Sequence, residues 1–89
     1  MEKKDIAICF KALSDETRLN IVEMLKGGSM CACKILEQFN ITQPTLSYHM
    51  KSLVASGLVS VIKVGVWNHY TINKEMLKEL SENLFLNIL

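Results

Sequence analysis

The sequence has few of the residues that interrupt helices and strands, with one proline and four glycines among 89 residues. No apolar run approaches the roughly 20 residues of a membrane-spanning helix, and residues 1–5 are mostly charged, unlike a secretory signal peptide. We therefore expect a soluble, cytoplasmic protein without a membrane partner. A chain this short predicts one domain over residues 1–89, whose small core a partner subunit would stabilise further.

Cysteine is scarce and odd in number, since Cys9, Cys31 and Cys33 are the three in the chain. An odd number argues against a closed disulfide framework, and cytoplasmic thiols are normally kept reduced. The three thiols are therefore available for packing, for redox chemistry or for binding a metal ion.

Acidic residues are absent from residues 38–74, although the chain contains nine of them. The same segment carries Lys51, Lys63 and Lys74 together with His49 and His69. Because a phosphate backbone repels carboxylates and attracts ammonium groups, this segment indicates a nucleic-acid-binding surface even though the net charge is only +1. A chance distribution of the acids is the alternative.

Helical spacing of apolar residues predicts three helices in the first 40 residues. The first carries a stripe from Ile6 to Leu13. The second begins after the cap-like segment 14–16 and stops at residues 27–28, where two glycines follow each other. Ser29 is expected to cap a third helix over about residues 30–39.

A fourth helix, a β-hairpin and a last helix follow. Thr42 is expected to cap the fourth helix, with Pro44 in its first turn and Gly57 at its end. Two β-branched runs, residues 58–64 and 66–72, flank a glycine, and an asparagine at position 73 can cap the last helix. The order α-α-α-α-β-β-α predicts a mainly α fold with a small β-hairpin, a winged helix-turn-helix.

The predicted fourth helix is apolar on one side and carries short polar side chains on the other. Such a helix can dock on its own domain and present its polar side to a major groove. Gln43 can bond adenine at two atoms, whereas Tyr48 and Lys51 suit phosphate and sugar. With residues near the wing tip, the candidate DNA contacts are Thr42, Gln43, Thr45, Ser47, Tyr48, His49, Lys51, Lys63 and His69. A solvated helix face is the alternative, as is packing for His49 and for Trp67.

The terminal helices are too apolar to be exposed on a monomer of this size. Pairing them across a two-fold axis would bury the apolar surface that soluble monomers avoid. The candidate interface residues are Ile6, Phe10, Met76, Leu80, Leu84, Phe85 and Ile88. Such a homodimer would hold two recognition helices about one DNA turn apart, on double-stranded DNA with an inverted-repeat operator. Folding of the last helix over its own core is the alternative.

Four segments resemble the arsenical-resistance repressor (ArsR/SmtB) family: residues 11–18 (KALSDETR), 31–33 (CAC), 42–50 (TQPTLSYHM) and 55–59 (ASGLV). The wing from Gly65 to Tyr70 is similar as well, so the resemblance covers about residues 5–75. It implies a homodimeric winged-helix repressor that blocks transcription of a nearby operon until an inducer binds. It also places Gln43, Thr45 and Ser47, with His49, at the family's recognition-helix positions.

The resemblance implies an inducer that is commonly a metal or metalloid ion, although some members sense redox or sulfur species and others bind no known ligand. The family's arsenic sensors carry a Cys-x-Cys and, three residues on, another cysteine. Here Cys31 and Cys33 match, while position 36 is leucine. Residues 73–89 contain no histidine, so the zinc or nickel site that relatives carry on the last helix is not expected.

Thiolate chemistry favours soft inducers such as As(III), Cd(II) or Pb(II) at Cys31 and Cys33. On an intact helix, side chains at i and i+2 diverge by about 160°. We therefore expect ligation to distort the third helix and to favour a geometry that cannot bind DNA. Cys9, from the same subunit or from the other one, is a candidate third ligand, with a small buried hydrophobic side chain as the alternative. A repressor without a metal inducer remains the alternative function.

Enzymatic function is not expected, and no cofactor is required. The chain has no phosphate-binding loop, no Ser-His-Asp set and no closed metal site, and the βαβ context of a thiol oxidoreductase is missing. A protein-interaction module is a remote alternative. Salt-dependent binding to duplex DNA would distinguish a repressor from such a module, since phosphate contacts make the affinity for DNA fall as salt rises.

Overall fold

A computed structural model describes residues 1–83, which form five helices and a small antiparallel sheet. In chain order the elements are α1 (Lys3–Leu13), α2 (Glu16–Leu25), β1 (Met30–Cys31), α3 (Ala32–Leu36), α4 (Gln43–Ala55), β2 (Val59–Val64), β3 (Trp67–Ile72) and α5 (Lys74–Ser81). Among the described residues, no helix is both long and apolar enough to cross a bilayer.

Side-chain oxygen atoms cap three of the helices. Asp15 accepts a hydrogen bond from the backbone N–H of Arg18, Thr42 from that of Thr45, and an asparagine at position 73 from that of Met76. Each bond satisfies one of the N–H groups that a helix leaves free in its first turn. The predicted caps of the second, fourth and last helices are thereby confirmed.

The sheet has the strand order β1-β3-β2. Strands β2 and β3 form the predicted hairpin, in register from Val59 opposite Ile72 to Val64 opposite Trp67, and Gly65 at the turn has a φ of 63°. That positive φ suits glycine because it has no Cβ. The third strand, β1, was not predicted, because a run of two residues is too short to show strand periodicity.

Strand β1 shortens the predicted third helix. Met30 pairs with Tyr70 and Cys31 with His69, so the chain is extended where a helix was expected to have begun. Helix α3 therefore starts only at Ala32, and it ends at residue 36 rather than near residue 39. Its cap is Cys31, not Ser29. Cys31 therefore has extended rather than helical backbone, which changes the expected positions of the two sulfurs.

The core is formed by side chains from all five helices and from the sheet. Its fully buried side chains are Cys9, Ile21, Leu25, Ile35, Met50, Leu53, Leu58 and Val59. Leu80 of α5 belongs to the same cluster, with 5 % of its surface exposed. We therefore withdraw Leu80 from the predicted dimer interface, because the protomer's own core already covers it.

The two ends of the described chain meet. The N-terminal ammonium of Met1 lies 3.7 Å from Oε1 of Glu79 and donates a hydrogen bond of 3.5 Å to Oδ1 of Asn83. Ile6 and Met76 are half-buried against the core, whereas Phe10 is exposed. The three remaining predicted interface residues, Leu84, Phe85 and Ile88, lie outside the described residues.

Candidate DNA-binding face and thiol site

Helix α4 presents the polar face that the sequence predicts. Leu46, Met50 and Leu53 are buried at helical spacing, so the opposite side of the helix faces solvent. The predicted contacts that are exposed on that side and at its cap are Thr42, Gln43, Thr45, Ser47, Tyr48 and Lys51. The backbone at the start of the helix adds little to this face, because Pro44 has no N–H group and those of Thr45 and Leu46 are bonded to Thr42.

Arg18 of α2 is a residue that the sequence analysis missed. Its guanidinium lies 6.0 Å from the centre of the Tyr48 ring, within the range of a cation–π contact. Its Nε is buried without a hydrogen-bond partner. The sequence places Arg18 in the first turn of the second helix. It does not predict the contact with Tyr48, because that contact joins two different helices.

His49 does not belong to the exposed face. Its side chain is only 12 % exposed, and Nδ1 lies 3.8 Å from Oδ2 of Asp15, the cap of α2. A side chain turned toward its own domain cannot reach a base edge without leaving that position. We therefore withdraw His49 from the predicted DNA contacts, and the packing alternative describes it better.

The wing carries one predicted cation and much apolar surface. Lys63 is exposed opposite Asn68, near the turn. His69 is half-buried between its strand neighbours Ile62 and Cys31. Trp67 is exposed rather than part of the core, so the structural alternative for this residue does not hold.

The thiols of Cys31 and Cys33 lie together. Their Sγ atoms are 2.7 Å apart, and the backbone N–H of Cys33 points at the sulfur of Cys31. The predicted divergence of about 160° requires both residues to be helical, but Cys31 has extended backbone, with φ −67° and ψ 143°. The expectation that an ion must distort the helix to reach both sulfurs is therefore wrong, because strand β1 already turns the first sulfur back toward the second.

The hydrogen bond between the two thiols makes them unequal. It lowers the pKa of Cys31, with the backbone N–H groups and the charge of Lys34 acting in the same direction. The same bond raises the pKa of Cys33. The pair can therefore hold one thiolate and one thiol, and the thiolate is the form that reacts with soft ions and electrophiles.

Cys9 lies apart from this pair. It is fully buried in α1, and its thiol donates a hydrogen bond of 3.5 Å to the carbonyl oxygen of Ser56. Burial, followed by the nearby carboxylate of Asp5, raises its pKa. Among residues 1–83 no three His, Cys, Asp or Glu side chains are grouped closely enough to hold a metal ion, so Cys9 does not complete a site within one subunit.

An open cavity of about 240 Å³ lies between α3, α4 and the wing. Cys33 and Leu36 form part of its wall on α3, and Gln43 and Ser47 form part of it on α4. Trp67 lines it from the wing. The cavity therefore joins the thiol site to both elements that are expected to contact DNA.

Comparison with known proteins agrees with this arrangement. A sequence profile described as "Bacterial regulatory protein, arsR family" matches residues 15–61. An arsenical resistance operon repressor from Staphylococcus xylosus is 45% identical over 84 residues, covering 94% of this chain and 81% of the relative. The transcriptional repressor SdpR from Bacillus subtilis is 40% identical over 80 residues, covering 90% of this chain and 88% of the relative.

A solved structure shows the same fold. A homodimeric winged helix-turn-helix DNA-binding domain from Mycobacterium bovis superimposes with a TM-score of 0.78 at 24% identity, over 88% of this chain and 73% of that one. The predicted mainly α, winged helix-turn-helix fold is thereby confirmed. The profile match and the two sequence relatives show that this chain belongs to the arsR family of bacterial regulatory proteins, and that it is a DNA-binding transcriptional regulator rather than an enzyme.

Proposed function

We propose that this chain is a cytoplasmic, homodimeric repressor whose Cys31 and Cys33 bind a thiophilic ion such as As(III), Cd(II) or Pb(II) and thereby release DNA. The observation that carries the proposal is the distance of 2.7 Å between the two sulfurs, at a strand that pairs with the wing. Thiolates select soft ions over hard ones. The names of the relatives agree, since they include arsenical resistance repressors and a cadmium resistance regulator.

DNA binding is assigned to the exposed face of α4 and to the wing. Gln43 and Ser47 contact base edges, while Tyr48 and Lys51 contact the sugar-phosphate backbone of the DNA. Lys63 would contact the DNA phosphates that lie beside the wing. A homodimer presents this set twice, which requires an inverted-repeat operator. The Mycobacterium bovis domain of the same fold is homodimeric, and this supports the two-fold arrangement.

Release follows from the position of β1. Cys31 pairs with His69 on the wing strand, and the helix that begins directly after Cys31 lines the same cavity as α4. An ion that fixes both sulfurs sets the backbone between residues 31 and 33. If that geometry differs from the one bound to DNA, ligation favours the free protein by its difference in affinity for the two states.

The decisive experiment measures binding to the promoter DNA of the chain's own gene by fluorescence anisotropy. The unmodified chain is expected to bind with an affinity that falls as salt rises, and to release DNA on addition of As(III), Cd(II) or Pb(II). The Cys31→Ser/Cys33→Ser variant should bind DNA equally well and not respond. Cys9→Ser is the matched control and should respond like the unmodified chain. Release that persists in the double variant would place the inducer site elsewhere.

A redox-responsive repressor is the second candidate, favoured by the short distance between the sulfurs and by the lowered pKa of Cys31. A thiolate attacks an oxidant more readily than a thiol does. In the same assay, release by hydrogen peroxide or diamide, reversed by dithiothreitol and absent with every ion tested, would favour this candidate over the first.

A further inference from the structure

We propose that the inducer site is built for a monosubstituted trivalent organoarsenical, R–As(OH)₂, with its arsenic on Cys31 and Cys33 and its organic group in the cavity beside them. The inference rests on the proposed function, because it assumes that these two thiols are the inducer site. It adds a class of ligand, and it assigns a role to the cavity between α3, α4 and the wing.

The number of thiols is the first argument. The two sulfurs are 2.7 Å apart, position 36 is leucine, and Cys9 is buried with its thiol bonded to Ser56. Within residues 1–83 of one subunit, no third ligand joins the pair. Arsenite has three exchangeable hydroxyls, so two thiols leave one of them in place. A monosubstituted arsenical has two, and two thiols satisfy it completely.

The reaction is a ligand exchange without oxidation or reduction. Two As–O bonds break and two As–S bonds form. The two thiol protons leave with the two hydroxides as two molecules of water, and arsenic stays trivalent. Because the hydrogen bond with Cys33 lowers the pKa of Cys31, the Cys31 thiolate can attack first and the remaining thiol can close the ring.

The cavity is the second argument. Its volume of about 240 Å³ exceeds the roughly 150 Å³ that suffices for benzene in an engineered protein cavity. Leu36, Met50 and Trp67 give it apolar walls, and Cys33 lies on its edge. A carbon substituent on arsenic held by Cys33 therefore adjoins a space of suitable size whose walls are largely but not wholly apolar, whereas a bare ion leaves that space unused.

The position of the cavity gives the organic group a role in release. Gln43 and Ser47 on one wall belong to the DNA-binding face, while Trp67 and Asn68 on the other belong to the wing. A group that fills the space sets the distance between α4 and the wing. Binding of the organic group is therefore coupled to the spacing of the two elements that must fit the DNA together.

The test compares phenylarsonous acid, which is hydrated phenylarsine oxide, with methylarsonous acid on the purified full chain. Each arsenical is partitioned between the protein and dithiothreitol, and the adducts are quantified by native mass spectrometry. Dithiothreitol binds arsenic through two thiols but has no cavity. A preference measured relative to dithiothreitol therefore excludes the preference that any dithiol has for one of the two compounds. We expect the protein to favour the phenyl compound by about tenfold relative to dithiothreitol, because burial of apolar ring surface is favourable.

Variants separate the cavity from the thiols. Ala32→Leu fills the cavity from α3 and Trp67→Ala removes its aromatic wall, and both should lose the phenyl preference while still binding methylarsonous acid. Ala7→Leu makes the same substitution at an exposed site of α1 and should keep the preference. Thermal unfolding monitored by circular dichroism establishes that each variant is folded before it is compared.

The outcomes distinguish this inference from the function on which it rests. A protein that binds both arsenicals through its two cysteines without a phenyl preference overturns the cavity proposal and leaves the thiol site intact. A preference that survives in both cavity variants overturns it as well. Binding that persists in Cys31→Ser/Cys33→Ser instead contradicts the proposed function itself.

Discussion

Nδ1 of His49 lies 3.8 Å from Oδ2 of Asp15, and the same carboxylate oxygen accepts the backbone N–H of Arg18 at 3.0 Å. One side chain therefore both caps α2 and faces the middle of α4. Arg18, one turn further along α2, reaches the ring of Tyr48. The beginning of α2 therefore contacts α4 at two places, and we expect His49 to orient that helix rather than to contact DNA.

We predict that His49→Ala lowers the melting temperature and weakens binding to all DNA sequences alike. The variant removes the group that faces Asp15, so α4 is less firmly oriented, but no base contact is lost. Thermal unfolding and anisotropy on operator and scrambled DNA measure both effects. Asp15→Ala should lower stability further, by about 1 kcal/mol for the lost cap. An unchanged melting temperature together with a lost preference for the operator would return His49 to the base contacts.

The exposed face of α4 predicts the opposite pattern. Gln43→Ala and Ser47→Ala should each weaken operator binding by about tenfold or more, since a good base contact is worth about 1–3 kcal/mol, and leave the melting temperature unchanged. Ser81→Ala, an exposed serine of α5, is the control and should bind normally. If both α4 variants bind the operator like the unmodified chain, this face does not read the DNA.

Much of the fold could be predicted from the sequence because its signals are local. A cap such as Asp15 or Thr42 bonds a backbone group three residues away, and the stripe of α4 repeats within thirteen residues. The hairpin is marked by β-branched residues around a glycine. Each of these features depends on neighbours in the chain, which a sequence displays directly.

The features that were missed depend on contacts between distant segments. Strand β1 forms by pairing with β3, where Met30 lies opposite Tyr70, forty residues further along the chain. Its two residues are too few to show the alternation that marks a strand. That pairing holds Cys31 extended and turns its sulfur toward Cys33, which helical periodicity could not predict. The inward turn of His49 likewise depends on a carboxylate from α2.

The wing is expected to contribute charge rather than sequence preference. Lys63→Ala should weaken binding to operator and scrambled DNA by similar factors and reduce the slope of log K against log salt by about one for each wing. Lys3→Ala, an exposed lysine at the start of α1, should leave the slope unchanged. A change in operator preference without a change in slope would mean that Lys63 contacts a base instead of phosphate.

Exposed apolar surface on α1 predicts where a second copy binds. Phe10 is 37 % exposed although it lies on the apolar stripe of its helix. We expect Phe10→Glu to shift the chain from dimer to monomer in sedimentation equilibrium, because a buried interface does not tolerate an unpaired carboxylate. Leu19→Glu is the control, since Leu19 is 51 % exposed on α2 and outside the proposed interface. Monomers with both variants, or dimers with both, would contradict the assignment to the terminal helices.

The unequal thiols predict an order of alkylation. Because its pKa is lowered by the bond with Cys33, Cys31 holds more thiolate near neutral pH than an ordinary cysteine and should react first with iodoacetamide. As pH rises, its rate should level off earlier, and Cys33, whose pKa is raised, should follow. Cys9 should react last, since burial both raises its pKa and excludes the reagent.

Pulsed alkylation at a series of pH values, followed by peptide mass spectrometry, measures the three rates separately. In Cys33→Ser the partner thiol is replaced by a weaker acid that can still donate a hydrogen bond, so Cys31 should keep part of its advantage. In Cys33→Ala the donor is gone, and the rate profile of Cys31 should move to higher pH. In urea all three cysteines should react alike. Equal rates for Cys31 and Cys33 in the folded chain would mean that no hydrogen bond distinguishes the two sulfurs in solution.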